Sequence, residues 1–124
     1  MNRFICNRVY EAPLPGFCIL VDRLWPRGIK KDAIDLWAKD SAPSNELRIW
    51  LHHNPELYAE FVNRYHAELE SIPMAGAFLT LCSEKLKAGD VILLFAAKDK
   101  EHNNAVALKV WLEEMLEMPE IGRT

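Results

Sequence analysis

Apolar and polar positions along the chain fall into segments with two different periods. The mostly apolar runs at 3–8, 17–22 and 91–96 are too short for helices and predict strands. Because the run at 91–96 is apolar throughout, it is typical of a central strand that is buried on both faces. The loop at 9–16 is too short for a crossover helix, so the first two strands either form a hairpin or are separated by another strand.

The segment from Ile34 to Asp40 fits two structures. Ile34, Leu36 and Ala38 alternate with polar or aromatic positions, as in a strand, but Ile34, Trp37 and Ala38 also share one face of a helix. The alternation favours a strand.

Helical spacing of apolar residues and capping signals predict four helices. We expect a short helix capped by Ser44 and running to Leu51, a long helix opened by Asn54 and Pro55 and ended by Pro73, a third closed by Gly89, and a last helix at 104–118, capped by Asn103 or Asn104 and ended by Pro119. Strands that alternate with helices predict an α/β fold. We therefore expect one domain over residues 1–124, a small three-layer sandwich with a mostly parallel sheet of about four strands and helices on both faces.

Composition restricts the class of protein. Of the 124 residues, 50% are hydrophobic and 27% are charged, which is typical of a globular domain and excludes disorder. The longest apolar run, Val91 to Ala97, is far shorter than the roughly 20 residues that cross a bilayer. We expect a cytoplasmic protein without a membrane partner.

The three cysteines, at positions 6, 18 and 82, have neither C-x-x-C spacing nor paired histidines beside them. This pattern predicts neither a disulfide framework nor a metal site. All three lie in apolar surroundings, so we expect reduced thiols that pack in the core.

Charge is distributed unevenly along the chain. Residues 1–31 contain six Lys and Arg against two acids, whereas residues 32–124 contain nine against sixteen. A nucleic-acid surface normally needs a basic surplus across the fold, so a nucleic-acid partner is disfavoured. A local site for an anion remains compatible with the basic first third.

Polar side chains follow three of the predicted strands, and the carboxyl ends of parallel strands meet at one edge of a sheet, where ligands bind in open α/β folds. These residues are Asp22, Arg23, Trp25 and Arg27 after the second strand, Lys39, Asp40 and Ser44 after the third, and Lys98, Asp99, His102, Asn103 and Asn104 after the fourth. The sequence therefore predicts a site at this edge.

Within this set, Asp22, Asp40 and His102 are the candidates for proton transfer, and the others are candidates for ligand binding. Histidine side chains can exchange protons at neutral pH, which suits general acid or base chemistry, although a solvated helix-entry side chain explains His102 equally well. Arg23 and Arg27 are equally compatible with ion pairs to Asp22 or Asp40. The sequence identifies no cofactor.

Three motifs are similar to those of the YeaO-like family, which belongs to a large bacterial group of unknown function (domain of unknown function 488). They are the sequences VDRLWPRG at 21–28, LWAKDSAPS at 36–44 and AAKDKEHNNA at 96–105. The resemblance covers about 9–112 and implies a fold and a set of motif residues, but no reaction. Other branches of the group carry a Cys and a Cys-His-Arg where this chain has Phe95 and 103–105, so thiol-based transfer is not expected here.

These observations predict that the protein binds a small anionic ligand, such as a phosphate ester or nucleotide, at the carboxyl edge of its sheet. They leave open whether it is an enzyme and how many copies assemble. One alternative is a nucleic-acid-associated regulator, because the helices at 45–51 and 55–71 resemble a helix-turn-helix. Their excess of Glu over Arg would repel phosphates. Another alternative is a non-catalytic adaptor.

Overall fold

A computed structural model describes residues 1–118 of the protein. In chain order its strands and α-helices are β1 Phe4–Arg8, β2 Phe17–Leu20, β3 Leu36–Trp37, α1 Asn45–His53, α2 Tyr58–Ser71, α3 Ala75–Ala88, β4 Val91–Phe95 and α4 Asn104–Met115. Short 3-10 turns occupy Lys31–Ala33, Lys39–Ser41 and Pro55–Leu57. Pro119, which was expected to end the last helix, lies outside the described residues.

The strands form one sheet in the order β1-β4-β2-β3, and every neighbouring pair is parallel. β4 is the predicted central strand, and all five of its residues are buried. It lies between β1 and β2, with Val91 paired to Phe4 on one side and to Phe17 on the other. Of the two arrangements open for β1 and β2, the structure therefore has the separated one.

The connection from β1 to β2 crosses the sheet without a helix, and Gly16 makes this possible. Gly16 has a φ of +147°, and a Cβ placed there would lie 2.5 Å from the carbonyl oxygen of Asp90. The next residue, Phe17, donates its N–H to that same oxygen at 3.0 Å. Any side chain at this position would push the crossover away from the sheet.

The two faces of the sheet are covered differently. On one face, strand residues such as Ile19 and Leu93 pack with the apolar sides of all four α-helices. On the other face, Leu20, Ile92 and Leu94 pack with side chains of the crossover and of the segment after β2, chiefly Val9, Trp25, Ile34 and Trp37. The predicted α/β sandwich with a four-stranded parallel sheet is confirmed.

This second face is covered by the loop segment 22–35 with its 3-10 turn, whereas the prediction expected α-helices on both faces of the sheet. Pro26 and Gly28, which has a φ of +80°, interrupt any helix there. The rings of Trp25 and Trp37 meet edge to face at 5.4 Å and supply the apolar area that a helix would otherwise provide.

Capping residues place the helices against the carboxyl edge of the sheet. Ser44 caps α1 as predicted, because its Oγ accepts the N–H of Leu47 at 3.1 Å. Asn103 caps α4 by accepting the N–H of Val106 at 2.9 Å. The capping role predicted for Asn54 is wrong, because its side chain donates to the carbonyl of Trp50 at 2.9 Å and so ends α1 instead.

Candidate functional site

A cleft of about 410 Å³ lies at the carboxyl edge of the sheet, where β2 and β4 end and α1 and α4 begin. Seven of the residues singled out in the sequence line it: Asp22, Arg23, Trp25, Arg27, His102, Asn103 and Asn104. The fold thus brings together the side chains that follow β2 with those that precede α4.

Asp22 joins the two strand exits. Its Oδ2 accepts the N–H of Ala96 at 2.9 Å, and its Oδ1 accepts the side-chain amide of Asn104 at 2.9 Å. That amide also donates to the carbonyl of Val21 at 2.8 Å. Burial raises the pKa of Asp22, and the Asn104 and Ala96 hydrogen bonds and the charge of Arg48 partly oppose this rise.

Arg23 binds backbone carbonyls. Its Nε donates to the carbonyl of Pro43 at 2.8 Å, and its Nη2 lies 3.4 Å from that of Ala42. Within residues 1–118 it forms no ion pair, with Asp22 or with Asp40. Arg23 therefore ties the exit of β2 to the loop before α1.

Arg27 and Arg48 provide exposed positive charge at the rim. The backbone of Arg27 is fixed because its carbonyl accepts the hydroxyl of Tyr10 at 2.9 Å. One nitrogen of Arg48 donates to Asn45 Oδ1 at 2.6 Å. No ion pair involves either guanidinium in the part of the chain that the structure describes.

Asp99 and His102 form a carboxylate–imidazole pair before α4. One oxygen of Asp99 accepts the backbone N–H groups of Glu101 and His102, and the other lies 3.3 Å from His102 Nδ1. The hydrogen bonds from His102 and Glu101 lower the pKa of Asp99. The His102 ring also meets the ring of Tyr58 edge to face at 5.0 Å, so its orientation is held from two sides.

Asn103 and Trp25 are anchored by the fold where they line the cleft. The buried Asn103 donates its amide to the carbonyl of Asp99 at 2.9 Å while it caps α4. Trp25 donates Nε1 to the carbonyl of Ile29 at 2.8 Å. Both side chains therefore form a rigid part of the cleft wall.

The remaining predicted residues lie elsewhere. Lys39 and Asp40 are exposed in a 3-10 turn after β3, and Lys98 is exposed outside the set that lines the cleft. Ser44 is committed to α2, because its Oγ donates to Glu68 Oε2 at 2.5 Å and its N–H donates to the other oxygen at 2.8 Å. β3 is only two residues long and turns at once, so its exit does not reach the cleft.

Sequence reasoning missed several residues of the cleft. Arg48 and Leu51 lie on α1 and Phe61 lies on α2, so they do not follow a strand, whereas Tyr10 follows β1, whose exit the prediction did not include. A usable signal for Arg48 was its position one turn after the cap at Ser44, since a helix that starts at the carboxyl edge presents its first turns there.

The three thiols are unsuited to nucleophilic chemistry at neutral pH. Burial raises the pKa of Cys6 to about 11 and that of Cys82 to about 12, and it also raises the pKa of Cys18. Within residues 1–118, no cluster of three His, Cys, Asp or Glu side chains is placed to hold a metal ion. No helix in the same range has the length and apolar character to cross a membrane.

Comparison with known proteins places the chain in a family. The chain is 41% identical over 114 residues to the uncharacterized protein YeaO of Escherichia coli, an alignment that covers 89% of this chain and 96% of that protein. It is 54% identical over 66 residues to the uncharacterized proteins Mb3100c of Mycobacterium bovis and Rv3073c of Mycobacterium tuberculosis, covering 50% of this chain and 56% of each relative.

No solved structure matches the chain. Residues 3–123 match the family model DUF488-N3i, whose description is "Inactive DUF488-N3 subclade". This match and the nearly full-length similarity to YeaO confirm the resemblance found in the three motifs. The chain belongs to the YeaO-like DUF488 family, within the DUF488-N3i subclade.

Proposed function

We propose that the protein binds a small anionic ligand in the cleft at the carboxyl edge of its sheet without transforming it. One observation carries this proposal. Three arginines, Arg23, Arg27 and Arg48, line a single cleft, and none of them forms an ion pair within residues 1–118. Guanidinium groups bind phosphate and carboxylate strongly through paired N–H donors.

Among residues 1–118, the one acid that lines the cleft, Asp22, offsets only part of this positive charge. Both oxygens of Asp22 already accept hydrogen bonds from the protein, so its carboxylate chiefly holds the wall together. Arg23 is partly occupied by the carbonyls of Pro43 and Ala42. Arg27 and Arg48 are therefore the groups that meet the ligand first.

A binding role without catalysis agrees with the chemistry of the site. The thiols are protonated at neutral pH, and β4 ends at Phe95, where other branches of the group have a cysteine. The description of the matching subclade as inactive supports the same conclusion. His102, the best candidate for proton transfer, is assigned to ligand binding here.

The test uses inorganic phosphate and adenosine 5′-monophosphate (AMP) as probes in a thermal-shift titration. A probe at 100 times its dissociation constant adds about 2.7 kcal/mol to the free energy of unfolding. Arg48→Ala should weaken binding by about 1.5 to 3 kcal/mol, the usual contribution of a hydrogen bond to a charged group.

Arg3→Ala is the matched control, because it removes the same charge from an exposed residue just before β1, at the opposite end of the sheet. It should leave binding unchanged. If Arg48→Ala and Arg3→Ala bind the probes equally well, the cleft is not the anion site. If the unmodified protein binds neither these probes nor an organic phosphodiester, the proposal is overturned.

A further inference from the structure

The cleft continues into a second cavity. A broader basin of about 800 Å³ adjoins it, and Arg48, Leu51 and His102 line both spaces. The two cavities therefore meet at these three side chains, which we call the junction. A ligand bound at the junction has room on both sides.

An aromatic surface runs from the cleft to the basin. The ring of Phe61, which lines the cleft, stacks on the ring of Tyr58, which lines the basin, with 5.7 Å between centroids. Tyr58 in turn meets His102 edge to face, and its hydroxyl donates to the carbonyl of Asn103 at 2.7 Å. The wall that the two cavities share is thus rigid, and the half-buried ring of Tyr58 on it suits flat or apolar groups.

The junction offers hydrogen-bond donors for an anion. A guanidinium has five N–H donors, and of these Arg48 uses one nitrogen on Asn45. Nδ1 of His102 faces Asp99, and within residues 1–118 Nε2 of the same ring has no hydrogen-bond partner. Because Nδ1 needs a proton to hydrogen-bond with the Asp99 carboxylate, Nε2 donates to an anion only when the ring carries both protons. The free N–H groups of Arg48 are therefore the donors that the junction offers in either protonation state of His102.

Building on the proposed function, we infer that the ligand is an organic phosphodiester, with its phosphate at the junction and one substituent in each cavity. A carboxylate or a phosphate monoester ends a molecule, whereas a phosphodiester keeps its negative charge between two organic groups. The acids near the junction favour the same class. Asp22, Glu56 and Asp99 line the two cavities and repel a monoester, which carries about −1.5 to −2, more than they repel a singly charged diester.

Calorimetric titration of the full chain tests this inference with three probes: AMP, the methyl ester of AMP, and the dinucleoside adenylyl-(3′→5′)-adenosine. The methyl ester has the charge of a diester but nothing to fill the second cavity. The dinucleoside should bind about tenfold more tightly than the methyl ester, since a second nucleoside gains contacts in the basin.

Variants of the basin test whether the gain in affinity of the dinucleoside comes from contacts in the basin. Ile49 and His53 are exposed and line only the basin, so the double variant I49A/H53A should reduce the tenfold ratio to about twofold or less. L14A is the matched control, because Leu14 is an exposed aliphatic residue of the crossover that lines neither cavity. It should keep the full ratio.

The outcomes separate the two proposals. If AMP or its methyl ester binds as tightly as the dinucleoside and R48A weakens binding, the cleft binds anions but the diester inference is overturned. The inference also fails if I49A/H53A keeps the full ratio. If no probe binds, both this inference and the proposed function are overturned.

Discussion

The carboxyl edge of the sheet has two regions that use their polar residues differently. Where β2 and β4 end, Asp22 and Asn104 bind each other across a cleft. Where β3 ends, Tyr65 of the neighbouring helix α2 donates to the carbonyl of Ser41 at 2.6 Å, and Glu68 of the same helix binds Ser44. The first region encloses space, whereas the second is occupied by helix packing.

The difference shows what makes a strand exit available for a ligand. α2 packs directly on the exit of β3, so the polar groups there satisfy one another. Lys39 and Asp40 face solvent, on a turn rather than in a cavity. The exits of β2 and β4 are adjacent in the sheet and are bridged by side chains, which leaves a cavity with charged rims. Binding chemistry therefore belongs to the bridged region.

The strongest test of this comparison removes the carboxylate of Asp22, which links the exits of β2 and β4. Asp22→Ala leaves the N–H of Ala96 and the amide of Asn104 without their acceptor, so the free energy of unfolding should fall by about 2 to 3 kcal/mol. Urea denaturation measures the loss. Asp40→Ala, an exposed acid in the other region, is the control and should stay within about 0.5 kcal/mol of the unmodified protein. Equal midpoints for the two variants would contradict the bridging role.

A second variant tests the packed region. Ser44→Ala removes the cap of α1 and the hydroxyl that binds Glu68, and should cost about 1 to 2 kcal/mol in the same assay. Affinity for the cleft probes should be unchanged once the loss of stability is taken into account. Weaker binding without a loss of stability would place Ser44 in the site after all.

A variant of Arg23 distinguishes a contribution to folding from a contribution to ligand binding in the region where β2 and β4 end. Arg23→Ala removes the donors to the carbonyls of Pro43 and Ala42, and because water reaches this half-buried side chain the cost should be about 1 kcal/mol. Lys98→Ala, an exposed charge outside the cleft, should change neither stability nor probe affinity. If Lys98→Ala weakens binding as much as Arg48→Ala does, Lys98 also belongs to the anion site.

The smallest expected effect is a pH dependence from Asp22. Because burial raises the pKa of this carboxyl in the folded protein, the folded chain keeps its proton to higher pH than the unfolded chain, whose value is about 3.9. The contribution of Asp22 to stability should therefore decline as the pH rises from about 3.9 through the raised value, and then level off. Comparing denaturation of the protein and of Asp22→Asn across this range measures it. A contribution that grows with pH would mean a lowered pKa.

The sequence predicted the fold well in segments where the apolar residues follow a single helical or strand pattern. The spacing of Phe61, Tyr65 and Leu69 identified α2, and the apolar run at 91–96 identified the central strand, because burial on one side or on both sides fixes these patterns. The cover of the second face was missed because Val9, Trp25 and Ile34 supply much of its apolar area from irregular backbone, which has no period to detect.

The site was predicted by one rule, and its errors follow from that rule. Strand exits located Asp22, Arg27 and His102, all of which line the cleft. The same rule included Ser44, which is occupied by Glu68, and missed Arg48, which belongs to a helix. Tertiary packing decides which polar group already has a hydrogen-bond partner and which helix turns toward the edge of the sheet. The spacing of residues along the chain does not encode this packing.

The place of β4 between β1 and β2 has a consequence for how the chain acquires its shape during synthesis. The first two strands pair only with residues at 91–95 on their shared side, so the sheet lacks its centre until these residues have left the ribosome. Contacts between such distant segments slow folding, because a long loop must close before they form. The helices at 45–88 can form earlier, but they pack fully only after β4 has joined the sheet.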